Sequence, residues 1–307
     1  MVRADAIVIG GGAAGLMCAF SAGQRGRRVV VIDHARKLGA KILISGGGRC
    51  NFTNRDVAPG RFVSANPHFA KSALARYTQH DFIALVERHG IAYHEKTLGQ
   101  LFCDGSARQI LDMLRAECQA AAVTLWPGAP VRDLSRREDG FEVRTESGTV
   151  RAPALVLATG GPSIPKLGAS GFAYDVARQF GLQVQTPEPA LVPFTLDAEA
   201  RALAAPLSGV AVDAGVGCGA VRSGRMGFRE NILFTHKGLS GPAILQISNY
   251  WSPGLPVTLD LLPDKDDPEW LIAVKRARPK ARLATVLGEA LPQRLAKKLC
   301  ESRWPDR

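Results

Sequence analysis

Paired cysteines, long apolar runs and internal repeats are all missing from this chain. Its six cysteines, Cys18, Cys50, Cys103, Cys118, Cys218 and Cys300, are widely scattered, with no C-x-x-C pair and no zinc-type spacing. That removes a dithiol redox pair and a zinc site, leaves mostly buried thiols, and no metal is expected. No stretch approaches the roughly 20 consecutive apolar residues that a membrane span requires. No charged segment followed by an uninterrupted apolar run marks a secretory leader, so the expected location is cytoplasmic and no membrane partner is expected. Low-complexity segments and recognisable nucleic-acid-binding motifs are absent as well. The net charge of +11 comes from dispersed Lys and Arg, with modest clusters at Arg25-Gly26-Arg27-Arg28 and Arg136-Arg137. Charge bears on encounter and not on fold. It reads here as a solvated basic surface that attracts anionic cofactors or small-molecule substrates, and a nucleic-acid partner is not expected.

What the 307 residues do contain, with 46% hydrophobic composition, is enough for two domains or one large domain with an insertion. Between Ala4 and Asp33 lies a short apolar strand, then Gly10-Gly11-Gly12-Ala13-Ala14-Gly15, a helix of small residues, and the strand Val29-Val30-Val31-Ile32 ending in an acid. This order is a dinucleotide-binding unit. Gly10 allows the tight turn, Gly12 lets backbone N–H groups approach a pyrophosphate, and Gly15 lets the helix lie close on the sheet. Asp33 is placed to accept hydrogen bonds from a ribose 2′-hydroxyl and would repel a 2′-phosphate, which favours FAD or NAD over NADP at this site.

A second glycine loop follows in Lys41 to Asn54, with Gly46, Gly47 and Gly48 flanked by Lys41 and Arg49. Consecutive free N–H groups there can wrap an anion or lie against a flat ring. Cys50, inside Gly-Arg-Cys-Asn, is the one thiol in this candidate site. Amphipathic helices are predicted around Phe69 to His89 and around Ala107 to Ala122, the second opened by a Ser106 to Gln109 capping box. His94 stands alone between them and is assigned no role. From Val131 the period changes to short strands that form an antiparallel meander. It leads into Ala154 to Gly161, a buried strand ending in a third glycine turn with Thr159 and Gly160 at the crevice. Thr186 to Pro193, rich in proline, reads as an extended crossover. Beyond it come a β-rich stretch from Phe194 to Leu262 and a helical stretch from Pro268 to Arg303, which Pro292 must kink or restart. Within the β-rich part, Ser240-Gly241-Pro242 carries helix-start chemistry. It would set Thr235, His236 and Lys237 beside a helix N-terminus, where structural capping alone is an equally good account.

The passages Ile9 to Gly15, Lys41 to Asn54, Leu157 to Pro162, Pro189 to Pro193 and Leu233 to Leu245 together resemble the BaiN-like NAD(P)/FAD-dependent oxidoreductases, the Ser-Gly-Gly-Gly-Arg-Cys-Asn passage most specifically. The resemblance implies an α/β fold: a Rossmann-type FAD/NAD(P)-binding domain over residues 1–190, an inserted β-barrel-like domain over 191–263 and a small helical subdomain over 264–307. It implies FAD contacts at Gly10, Gly12, Gly15, Asp33, Lys41, Gly47, Arg49, Asn51, Val131, Thr159 and Gly160. Ala14, Gly46 and Cys50 join the candidate set from the two glycine loops. Members of that family normally continue with another sheet strand, a glycine-rich turn carrying an acid, and a final helix. Nothing of that kind follows Leu262, so a closing segment that covers a sheet edge and part of the pocket is expected to be missing.

The expected activity is that of a flavoprotein oxidoreductase, in which FAD is reduced by a transient NAD(P)H and passes hydride to an unsaturated or carbonyl compound. His236 and Lys237 are the candidate catalytic side chains by position. Two alternatives stay open: an NAD-binding dehydrogenase without flavin, and a non-catalytic FAD- or nucleic-acid-binding protein.

Overall fold

The structure, a computed structural model, describes residues 1–219, 226–265 and 269–304. The chain divides into two compact units, Met1–Thr186 and Pro187–Arg307.

The first unit is built on a parallel sheet of β1 (Ala6–Ile9), β2 (Val29–Asp33), β3 (Thr124–Pro127) and β4 (Ala154–Leu157), in the order β4-β1-β2-β3. Register runs Ala6 to Val29, Ala154 to Ala6, and Val30 to Thr124. These strands read as continuous apolar runs because both faces are covered. Successive side chains point to opposite faces, so Val8, Val29 and Val31 join one buried cluster while Ile7, Ile9, Val30 and Ile32 join another. Over the first face pack α1 (Ala13–Gly23) and α3 (Ala107–Ala120), with the short α2 (Ala40–Ile44) between them in sequence. Leu16, Ala19 and Phe20 of α1 meet Ile110, Leu114 and Cys118 of α3 in one cluster. The second face carries the meander Val131–Arg137, Gly140–Thr145 and Gly148–Ala152, with Val2–Arg3 pairing parallel to the last of these. A three-stranded sheet of Asn51–Asn54, Gln100–Cys103 and Tyr93–Glu95 completes the unit.

α3 opens with the expected capping box of Ser106 and Gln109. The single helix expected from Phe69 to His89 is instead two, Lys71–Arg76 and Gln79–Arg88. Thr78 accepts from the Asp81 N–H while the Asp81 carboxylate accepts from the Thr78 N–H, and that reciprocal pair starts a new helix in the middle of the apolar pattern.

In the second unit an antiparallel sheet runs in the order Phe194–Thr195, Gly238–Ser240, Met226–Phe234, Ala211–Cys218 and Val257–Asp260. Among the described residues it is an open sheet with Phe194–Thr195 and Val257–Asp260 at its edges, where the resemblance implies a β-barrel-like domain. Val212, Ala214, Val216 and Cys218 alternate into one core together with Ile244, Leu287, Leu291, Leu295 and Cys300. The terminal helices Leu283–Leu287 and Gln293–Arg303 therefore share a core with the sheet and do not form a separate one. Pro292 does restart the helical stretch, standing immediately before Gln293. No helix among the described residues is long and apolar enough to cross a membrane.

In the meander, Glu142 is buried and takes ion pairs from both Arg137 and Arg151. The Arg137 guanidinium, then that of Arg151, holds its carboxyl below the ordinary value of 4.5. A depressed carboxyl contributes stability that is fully present above that ordinary value and is lost as pH falls through the lowered one. The expected outcome is that Glu142→Gln lowers the thermal midpoint at neutral pH, and that the gap from the unsubstituted protein closes as the pH is taken well below 4.5. A gap independent of pH would overturn this account.

Candidate functional site

The first glycine bend is held by backbone contact that leaves no room for side chains. Gly10 has φ +110°, and a Cβ there would lie 2.4 Å from the Ala158 carbonyl oxygen. A Cβ on Gly15 would lie 1.8 Å from the Gly10 oxygen and 3.4 Å from the Ala158 Cβ. α1 thus rests directly on the ends of β1 and β4. Gly12 differs, since nothing lies within 4 Å of a Cβ placed there. α1 begins on Gly12 with no side-chain cap and no acid in its first turn, so its first N–H groups and the positive end of the helix dipole are left to attract an anion.

Asp33 closes the same bend from β2. Its Oδ2 accepts from the Gly11 N–H at 2.6 Å and its Oδ1 from the Ala35 N–H at 2.7 Å. The side chain is 13% exposed, and carboxylate lone pairs beyond the two used by the backbone remain for a hydroxyl donor.

The second loop docks on the first through α2, where the Gly39 N–H donates to the Gly11 oxygen at 3.0 Å. Lys41 then reaches the third bend, donating to the Gly161 oxygen at 2.8 Å and the Ser163 hydroxyl at 2.9 Å. Gly46 and Gly47 have φ of +56° and +67°, and a Cβ on Gly46 would strike the Asn51 nitrogen and the Phe102 ring, each at 2.7 Å. Cys50 is held at φ +53°, a costly conformation for a residue with a side chain. Burial pushes its thiol up from the usual range, opposed by a hydrogen bond from Ser45.

These three bends border two adjoining cavities. One, of about 690 Å³, is lined by Gly10, Gly12, Ala14, Asp33, Lys41, Val131, Thr159 and Gly160. The other, of about 560 Å³, is lined by Cys50 and Asn51 together with the rings of Phe52, Tyr77 and Phe82. They share Ala13, Ala14, Lys41 and Ile42. Four members of the candidate set line neither cavity. Gly15 is buried on the side of α1 that packs against Gly10 and Ala158, Gly46 braces its loop against Phe102, and Gly47 and Arg49 are exposed. His236 and Lys237 are exposed in a tight turn of the second unit, in which the Thr235 hydroxyl accepts from Lys237 and Gly238. The strand Gly238–Ser240 lies in sequence between that turn and the helix Pro242–Ile247.

Sequence reasoning missed the loop Leu167 to Ser170, which with His34 and Phe172 walls the larger cavity. Gly168 fits there because a Cβ would lie 2.4 Å from the His34 ring, a contact that no local pattern announces. Of the aromatic wall of the smaller cavity, Tyr77 and Phe82 fall in a segment whose sequence shows only an amphipathic helical period, and Phe52 follows the second glycine loop. Among the described residues no three His, Cys, Asp or Glu side chains are grouped so as to hold a metal ion.

The arrangement suits a long anionic dinucleotide, since one cavity is lined by an uncapped helix start, an open glycine, the Asp33 carboxylate and Lys41. The family model described as HI0933-like protein Rossmann domain matches residues 4–250. The chain belongs to this family, whose members are Rossmann-type FAD-dependent oxidoreductases. It is 53% identical over 299 residues to a ribosomal RNA dihydrouridine synthase of Escherichia coli, covering 97% of this chain and 74% of that one. A ribosomal RNA dihydrouridine synthase of Haemophilus influenzae is 46% identical, with 94% and 72% covered. A 3-dehydro-bile acid delta(4,6)-reductase of Clostridium scindens is 28% identical, with 96% and 74% covered.

The contrast between Gly12 and Gly15 yields a test. Gly15→Ala forces a backbone collision, and overpacking of this kind costs about 1–3 kcal/mol or more, so the first unit is expected to lose stability in a thermal melt. Gly12→Ala meets no protein atom, so the melt of the flavin-free protein is expected to be unchanged while flavin content of the purified protein falls sharply. Full flavin retention in Gly12→Ala would contradict an anion seated at the start of α1.

Proposed function

We propose that this chain holds FAD along its two adjoining cavities and uses NAD(P)H to reduce the ring double bond of uridine in ribosomal RNA. The observation that supports the cofactor reading is the uncapped start of α1 facing the space left open at Gly12, with the Asp33 carboxylate fixed at one end. The substrate class rests on the likeness, 53% identical across 97% of the chain, to a ribosomal RNA dihydrouridine synthase.

In this proposal Asp33 accepts from the ribose of the adenosine half, and the Val131 backbone borders the adenine. The N–H groups of Gly12, Ala13 and Ala14 take the pyrophosphate. Lys41, Thr159 and Gly160 line the stretch beyond it. The second loop borders the ring end through Cys50 and Asn51, Gly46, Gly47 and Arg49 shape that loop without lining the cavity, and Gly10 and Gly15 act by allowing the close packing that shapes the bend. FAD supplies hydride transfer between a nicotinamide and a carbon–carbon double bond. The reduction consumes one hydride, drawn from NAD(P)H, and one proton, and saturates the C5–C6 bond of the base. The chain's own contribution is to orient the rings and to exclude water from an apolar volume. Cys50 keeps its proton at neutral pH because burial raises its thiol. His236 and Lys237 remain candidate proton donors on chemistry alone, and His236→Ala and Lys237→Ala variants with full turnover would eliminate them.

Purified protein is expected to be yellow and to lose its flavin absorbance when NADH or NADPH is added without oxygen. With in vitro transcribed ribosomal RNA it is expected to add two hydrogens to a uridine, read by mass spectrometry of the digested RNA. Colourless protein that cannot be reconstituted with FAD would reject the cofactor. Flavin that is bleached by NAD(P)H, with no hydrogenated uridine, would reject the substrate.

A further inference from the structure

A third cavity of about 490 Å³ lies in the first unit and is lined by none of the candidate cofactor residues named above. Its rim carries four cations, Arg36, Lys37, Arg108 and Arg115, against one acid, Asp112. Arg115 stands 4.0 Å from Asp112, and both are more than half exposed, a pairing that in water contributes little. Arg36, Lys37 and Arg108 have no ion-pair partner among the described residues. The cations come from two separate elements. Arg36 and Lys37 lie in the loop after β2, the stem of Arg36 resting near Gly128, where a Cβ would touch it at 3.1 Å. Arg108, Asp112 and Arg115 share one face of α3, at positions i, i+4 and i+7. Seven residues along a helix span about 10 Å, wider than one phosphate group needs. Beneath the rim the floor is apolar, made by Leu38, Leu43, Leu111 and Leu125. Lys37 also borders the larger cavity, so this cleft opens beside the proposed cofactor site.

Four like charges gathered around a single counter-charge repel each other and raise the folded state's energy unless something anionic is to be bound. We propose that this cleft grips the phosphodiester backbone of the RNA substrate, the cations reaching successive phosphates while the apolar floor takes ribose faces. The proposal rests on the reading of the protein as an RNA-modifying reductase and adds the place where the RNA is held. No aromatic ring lines the cleft, so it positions the strand and does not read or stack bases. Arg fits the role through its fork of donors, but a backbone grip depends chiefly on charge.

The test uses the flavin-loaded full chain and in vitro transcribed ribosomal RNA, with binding measured across a salt series. The triple variant Arg36→Gln/Arg108→Gln/Arg115→Gln is expected to bind about tenfold or more weakly at low salt, and to lower the steepness of log K against log salt by roughly 2 to 3. The corresponding Arg→Lys triple variant is expected to restore both. All three proteins are expected to share one flavin content and one rate of flavin bleaching by NAD(P)H. A glutamine variant with the affinity and salt slope of the unsubstituted protein would overturn the proposal even if uridine is still reduced. If instead the RNA affinity falls as expected but the unsubstituted protein reduces no uridine, the cleft stands as an RNA-binding site and the proposed reaction fails.

Discussion

Everything at the candidate site depends on how closely α1 sits on the ends of two parallel strands. The Gly15 position admits no Cβ because the Gly10 carbonyl occupies that space, and Gly10 admits none because Ala158 does. This triple contact fixes the helix start in direction and depth. Strand pairing sets the other side of the same constraint, because β4 and β2 flank β1 in register, so the three strand ends emerge together along one crevice.

Two charged side chains then tie the bends to each other. Asp33 gathers N–H groups from both Gly11 and Ala35, and a hydrogen bond to a charged acceptor contributes about 1.5–3 kcal/mol. Lys41 spans from α2 to Gly161 and Ser163. An anion and a cation thus belong to the lining of one cavity together with an uncapped helix start, so the site carries both signs of charge before any ligand arrives. A ligand with both phosphates and hydroxyls matches that pairing.

Much of the first unit was legible in the residues because its rules are local. Gly10, Gly12 and Gly15 follow a strand and open a helix, Ser106 and Gln109 cap α3, and Pro292 restarts the final helix, each a matter of neighbours within a few positions. The split at Thr78 was written just as locally, but the apolar spacing on both sides of it is continuous, and that pattern outweighed a short Thr-x-x-Asp signal. Other features had no local signature. Leu167 to Ser170 form a wall of the larger cavity only because β4 returns beside β1, and the basic cleft joins Arg36 and Lys37 to a helix about seventy residues further on. Net charge registered those cations as a dispersed surface, since composition has no geometry.

By itself the sequence determined the first and second strands of the parallel sheet, the strand that closes at Gly160, the helices that pack on them, where the glycine bends fall, and that the first of them suits a dinucleotide. Those properties follow from backbone sterics and hydrophobic period, which act over a few residues. Only the tertiary structure decided that the three bends meet, that Lys41 bridges two of them, that the terminal helices share a core with the second sheet, and that scattered arginines line one cleft. Each of these depends on chain segments brought together by burial of apolar faces, and burial selects partners by shape and register across the whole fold, not by their order along the chain.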